Sequence, residues 1–265
     1  MTWKITKIAK NIPPLNNPVL IEGLPGIGNV GKIAVDFIVD ELKAKKCHDF
    51  FSSTFPHSVF VNERNLVELP KIELYYKSFN DKKKQDLLLL SGDVQPMDEV
   101  ASYEFCDAFL SLAVELGCRE IITIGGIGLP DVPEKPSVHC TGSSKKIIDS
   151  YIKNTKALKN LHTLVGPIVG VSGLLVGLSK KYKMEGVCFL AETYGHPLFL
   201  GIKGSQEVLK ILDKKFKLKL NLTELEKEIL DIEEDLKKSQ DLSEISKSSK
   251  TKKYRGMTKN MSYIG

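Results

Sequence analysis

Long hydrophobic runs are missing from this sequence. Gly or a charged residue interrupts every apolar stretch before membrane-spanning length, so no transmembrane helix is expected. The opening MTWKITKIAKNIPPLNNP has no apolar h-region and no small-residue cleavage site, so no signal peptide is expected either. The cysteines are Cys47, Cys106, Cys118, Cys140 and Cys188; none forms C-x-x-C, and their number is odd. Reduced thiols in a cytoplasmic protein fit this better than a disulfide framework. Catalytic signatures are equally scarce. His48, His57, His139, His162 and His196 make neither H-E-x-x-H nor a pair at helical spacing, so no metal site is expected. No G-x-S-x-G elbow occurs; the shorter GVSGL (170–174) offers Ser172, read here as the cap of the helix that follows.

What is present suits one large domain with appendages. The 265 residues are 42 % hydrophobic, enough for a substantial core. The net charge of +5 is uneven: residues 237–265 hold eight Lys or Arg against two acids, Asp241 and Glu244, leaving the remainder near neutral. A basic tail suits nucleic acid, a membrane or an acidic protein surface, and composition does not choose among them. No nucleic-acid-binding module accompanies it, so no specific nucleic acid is expected.

Strands and helices alternate along the chain. PVLIEGL (18–24) reads as a buried strand, and 28–45 as a helix with Val30, Ile33, Ala34, Phe37, Ile38 and Leu42 on one face. Residues 48–79 alternate like hairpin strands, 80–85 form a polar turn, and DLLLLSGD (86–93) is another buried strand. A helix over 97–117 ends at Gly117 in the C′ position. REIITIGGIGLPDVPEKP (119–136) reads as a strand, a second Gly-rich loop and a proline-bearing loop. Strands follow in 137–142 and 185–195, a helix in 143–154, a small-residue helix entered through Gly and Ser within 166–184, and a helix in 204–216. The prediction is an α/β fold with a mixed central sheet.

The segment after the first strand, GIGNVGKI (26–33), fits two phosphate-binding patterns. Gly26, Gly28 and Gly31 match G-x-G-x-x-G; Gly26, Gly31 and Lys32 match the P-loop, but Ile33 replaces its Mg²⁺-binding Ser or Thr. Asp93 stands nearest to a Walker-B acid, and Asp49 nearest to a ribose-binding acid. These residues are the candidates for a nucleotide- or nucleoside-binding enzyme using the loop at 23–32. The structural alternative is a tight strand-to-helix turn with Ile33 in the core. Glu192 and His196, in ETYGHP, are a further candidate acid–base pair. Nothing in the set specifies an enzyme, and no cofactor is expected.

Beyond residue 220 the texture changes. Leu222, Leu225, Ile229, Ile232 and Leu236 step by three and four, an a/d seam over two heptads, opened by a Thr223-to-Glu226 capping box. Such a helix either packs on its own domain or pairs with another subunit. From Ser239 the chain is rich in Ser and Lys and is expected to be flexible. It nevertheless ends in MSYIG. The expected organisation is therefore a body over 1–220, a helix over 221–238 and a basic tail over 239–265.

Three blocks carry a family resemblance: PVLIEGLPGIGNVGKIAVDFIVDEL, IITIGGIGLPDVPEKPSVHCTGSS and GPIVGVSGLLVGLSKKYKMEGVCFLAETYGHP. In that order, over about residues 10–216, they resemble the archaeal proteasome assembly chaperone family, related to the second subunit of the eukaryotic assembly chaperone. The resemblance implies a three-layer, nucleoside phosphorylase-like body without catalysis. It implies a homo-oligomer, or a heterodimer with a paralogous partner, that engages the proteasome α-subunit ring. It further implies a hydrophobic–Tyr–any anchor at the C-terminus, whose carboxylate meets a lysine between α-subunits. Met261, Tyr263, Ile264 and Gly265 are the residues concerned here, with Tyr263 third from the end rather than penultimate.

Overall fold

A computed structural model describes residues 3–153, 155–159, 161, 166–223 and 225–227. Eight strands form one mixed sheet, in the order β1-β3-β6-β7-β2-β8-β10-β9. Its centre is the parallel set β7 (Leu87–Gly92), β2 (Val19–Gly23), β8 (Glu120–Leu129) and β10 (Glu185–Tyr194). Antiparallel strands flank it: β6 (Ile72–Lys77), β3 (Lys45–Ser52) and β1 (Trp3–Lys7) on one side, β9 (Val138–Gly142) on the other. Every residue of β2 and β7 is buried, the continuous apolar pattern of strands covered on both faces.

Helices make the outer two of three layers. On one face α1 (Val30–Glu41), α3 (Lys145–Ile152) and α5 (Ile202–Phe216) pack against Val19, Ile21, Leu87, Leu89, Ile122 and Phe189. On the other, α2 (Glu99–Glu115) and α4 (Val171–Leu178) cover Leu20, Leu88, Leu90 and Ile121. The alternation of Val19 and Ile21 against Leu20 is the period-two signature of a strand dividing its side chains between two cores. Rings of Trp3, Phe50, Phe105 and Phe109 lock the second core, with centroids 4.7 to 5.8 Å apart.

Several boundaries differ from the sequence expectation. The first helix ends at Glu41 rather than 45, because Lys43 turns the chain at φ 50° and Lys45 already begins β3. Trp3–Lys7 forms an edge strand with no clear signal in the sequence; its lysines mask the alternation and suit an uncovered edge. The small-residue helix is only Val171–Leu178, continued by a 3-10 turn Ser179–Tyr182. Its N-cap is Gly170 at φ 96°, and Ser172 is not the cap. The Ser172 hydroxyl is drawn away by a buried carboxylate, as described below.

Helix α2 does follow its end signals. Asp98 caps it, accepting the Ala101 N–H at 2.9 Å, and Gly117 turns the chain at φ 86° beyond its end. Leu222 packs against the α1/α5 core, and Leu225, 1 % exposed, lies inside it. Ile229, Ile232, Leu236, Met261, Tyr263, Ile264 and Gly265 lie outside the described residues.

Candidate functional site

The chain leaves β2 for α1 on one face and leaves β7 for α2 on the other. The crevice between the ends of β2 and β7 is therefore a topological switch point, where open α/β sheets commonly receive ligands. The glycine segment lies here, as a 3-10 turn Ile27–Asn29 leading into α1.

Its three glycines do different work. An added Cβ on Gly31 would stand 2.4 Å from the Ile124 carbonyl oxygen, so α1 crosses β8 at backbone contact. Gly28 has φ 62°, and its carbonyl accepts the Gly201 N–H at 2.7 Å. An added Cβ there would meet Thr193 Oγ1 at 2.8 Å. Gly26 is extended, with nothing within 4 Å of an added Cβ. The turn is thus folded down onto β8 and β10, and packing alone accounts for Gly28 and Gly31. Ile33 is fully buried.

Lys32 has a partner of its own. Its Nζ lies 2.9 Å from Asp36 Oδ2, one helical turn on, and Ser91 donates its hydroxyl to the other oxygen of that carboxylate. Asp93 is held at the base of β6, accepting the Lys71 N–H at 3.3 Å. Burial raises its pKa, and the Lys32 charge opposes the rise. Asp49 cannot serve a ligand on this turn. It sits within β3, three strands from β2, about 14 Å at the usual strand spacing, and pairs with Lys46 at 3.1 Å.

Beneath the turn lies a polar knot that the sequence did not announce. Glu22 is fully buried in β2. One of its oxygens accepts the Leu24 N–H at 2.9 Å, the other the Ser172 hydroxyl at 2.9 Å. Burial pushes its pKa up to about 7 against those two hydrogen bonds. Gln95, in the β7–α2 loop, donates to the Pro25 carbonyl at 2.7 Å and accepts the Val171 N–H at 3.3 Å. Four segments are so tied: the end of β2, the glycine turn, the β7–α2 loop and the start of α4. A single acid inside a run of apolar residues, VLIEGL, is the signal that could have found Glu22.

Glu192 and His196 are not brought together as an acid–base pair. Glu192 faces His139 at 3.2 Å and accepts the Ser137 N–H at 2.9 Å. His196 stacks on Tyr194 at 5.8 Å, and its Nδ1 accepts the Leu198 N–H. The β9–β10 pairing that delivers His139 depends on register, which no local pattern encodes. Among the described residues no cluster of His, Cys, Asp or Glu could hold a metal ion, and no helix is long and apolar enough to cross a membrane.

Comparison with known proteins bears on this architecture directly. PbaB of Pyrococcus furiosus, described as an archaeal proteasome activator, is 33 % identical and superposes with a TM-score of 0.83 over 91 % of this chain and all of that one. PbaA of the same organism, described as an archaeal homolog of proteasome-assembly chaperone, shares the fold at 22 % identity, with a TM-score of 0.71 over 96 % of this chain and 98 % of its own. An uncharacterized protein of Methanocaldococcus jannaschii is 29 % identical over 238 residues, 88 % of this chain and 87 % of that protein. The model of the PAC2 family matches residues 20–240, from the first buried strand past the last described residue, and the chain belongs to that family.

Proposed function

We propose that the protein is a non-enzymatic, chaperone-like adaptor of the proteasome. In this reading it assembles as a homo-oligomer and engages the α-subunit ring through its body and through Met261, Tyr263, Ile264 and Gly265. The observation that carries the reading is the likeness to PbaB at one third identity over nine tenths of the chain. The site geometry supports a scaffold over a nucleotide enzyme: Lys32 is committed to Asp36, and Gly28 and Gly31 are packed against their own neighbours. Several weak tails on one oligomer would bind a ring together, because every contact after the first is effectively intramolecular.

The test is a pull-down of proteasome α-subunits from the same cell by the full chain and by a variant lacking Tyr263 to Gly265. The full chain is expected to retain α-subunits and the variant to lose most of them. Equal retention would remove the tail from the account, and no retention by either would remove the proteasome. Calorimetry with ATP, NAD and nucleosides is expected to give no binding heat; saturable heat with any of them would favour the enzyme reading.

A further inference from the structure

The two sides of the sheet are finished differently. Between β3 and β6 the chain makes a separate hairpin of β4 (Phe60–Val61) and β5 (Val67–Glu68). On the far side the last strand, β9, is closed by an irregular segment. Leu158 donates its N–H to the Val138 carbonyl, and its own carbonyl accepts the Cys140 N–H, at 2.8 Å each. Between this segment and α5 runs a cleft of about 500 Å³. Glu207, Lys210, Ile211 and Lys214 line it from α5, and their spacing puts them on one helical face.

The lining sorts into an apolar floor and a basic rim. Val138, Leu158 and Ile211 are aliphatic, and Leu158 is 41 % exposed. The rim sets Lys156, Lys210 and Lys214 against one acid, Glu207, which Lys210 meets at 2.8 Å. Lys156 and Lys214 have no ion pair among the described residues, so the rim keeps two positive charges. An occupant that suits it carries acids beside aliphatic groups.

The chain itself supplies such an occupant. Its last described stretch, 225–227, ends beside the cleft. Gln206 donates to the Glu226 carboxylate at 3.4 Å, and its own side-chain oxygen accepts from Lys210 at 3.2 Å. Two hydrogen bonds thus join the end of the described chain to the rim. The next nine residues, EILDIEEDL (228–236), hold five acids, four aliphatic residues and no base, and lie outside the described residues.

We infer that residues 228–236 dock on this cleft of their own chain, aliphatic side chains on its floor and acids against Lys156 and Lys214. Reach is sufficient. Nine residues span about 14 Å as a helix and about 30 Å extended, whereas Lys210 and Lys214 stand one turn, about 6 Å, apart. Tethered at Glu226, the segment meets the cleft at an effective concentration on the order of millimolar, which favours it over the same segment of a dilute second copy. Of the two alternatives for the seam of Ile229, Ile232 and Leu236, this is packing on the home domain. Docking also sets where the basic tail starts: its eight cations begin beside the cleft, with the preceding acids already engaged.

The test uses the full chain. A carbodiimide joins amines to carboxylates in direct contact, and mass spectrometry locates the links in an equal mixture of ordinary and heavy-nitrogen chains. The expected links run from Glu228, Asp231, Glu233, Glu234 or Asp235 to Lys156 or Lys214, within one isotope. In folded Lys156→Glu/Lys214→Glu, checked by circular dichroism, amide hydrogen exchange over 228–236 should be at least roughly tenfold faster than in the unaltered chain. The milder Lys156→Ala/Lys214→Ala should fall between them. No link to either lysine would overturn the inference. So would links only between isotopes, which assign the segment to a second copy, or exchange left unchanged in the folded charge-reversed variant. No α-subunit enters these measurements, so this inference and the adaptor reading stand or fall separately.

Discussion

Ser172 donates its hydroxyl hydrogen to Glu22 across 2.9 Å, joining residues 150 positions apart at the buried end of the central strand. Glutamate in the unfolded chain titrates near 4.5, whereas burial lifts Glu22 to about 7 in the fold. Between those values the folded state holds a proton that the unfolded state has released. The resulting stability is fully present below about pH 4.5, falls as pH rises to about 7, and is level above. Its size is on the order of 3 kcal/mol. His48, whose pKa burial lowers, acts with the opposite slope, weakening the fold as pH falls. Comparing Glu22→Gln with the unaltered chain cancels that contribution. Urea unfolding across pH 5 to 8 should show the variant gaining on the parent as pH rises; a constant difference would refute a buried, near-neutral Glu22.

The motif glycines should separate sharply. Gly31→Ala forces a Cβ against the Ile124 carbonyl, where only backbone can yield, and should cost about 3 kcal/mol or more. Gly26→Ala meets nothing and is extended already, so it should change stability by no more than about 0.5 kcal/mol. Denaturant midpoints of the two variants measure this. Similar losses in both would mean that the turn is not packed as described.

Asp86 is a second knot. It is buried, and its carboxylate accepts the N–H groups of Asn16 and Phe79 at 2.7 Å each and the Ser78 hydroxyl at 3.3 Å. Asp86→Ala strands two backbone donors and should destabilise by about 2 to 4 kcal/mol. Asp86→Asn retains one acceptor oxygen and should cost roughly half as much. Thermal unfolding of both variants tests the order; equal losses would show that the carboxylate's second acceptor is the one that counts.

Every cysteine is buried. Desolvation pushes Cys47, Cys140 and Cys188 to about 12 and Cys118 to about 11, and lifts Cys106 further. Thiolate is the reactive form, so a thiol reagent at pH 8 should leave the native chain unlabelled and titrate all five after denaturation. Rapid native labelling of even one would show that its core opens readily.

Much of this architecture was legible because the central strands are so apolar. VLIEG and LLLLSG can only be covered strands, and their alternation with amphipathic helices dictates layers around a mixed sheet. Local chemistry also marked real ends, as at Asp98 and Gly117. What escaped was long-range. Ser172 looked like a cap because nothing near it in sequence reveals Glu22, and Glu192 looked like a partner for His196 because the strand bringing His139 lies 53 residues away. Trp3–Lys7 is not legible in the sequence because an edge strand carrying Lys4 and Lys7 lacks the buried strand's pattern. Glu22 itself was overlooked because it fits a core strand by position and contradicts it by charge.

The strand order also constrains how the chain is made. β2, finished by residue 23, has as its two neighbours β7 and β8, which are complete only at residues 92 and 129. A nascent chain leaving the ribosome therefore carries VLIEG, an innermost strand, with no neighbour to pair with until residue 92 and its second edge open until residue 129. Pairing over such separations is slow. The central strand must stay out of wrong pairings until β8 is made, and the Ser172 hydroxyl that meets its buried Glu22 arrives later still, from the second half of the chain.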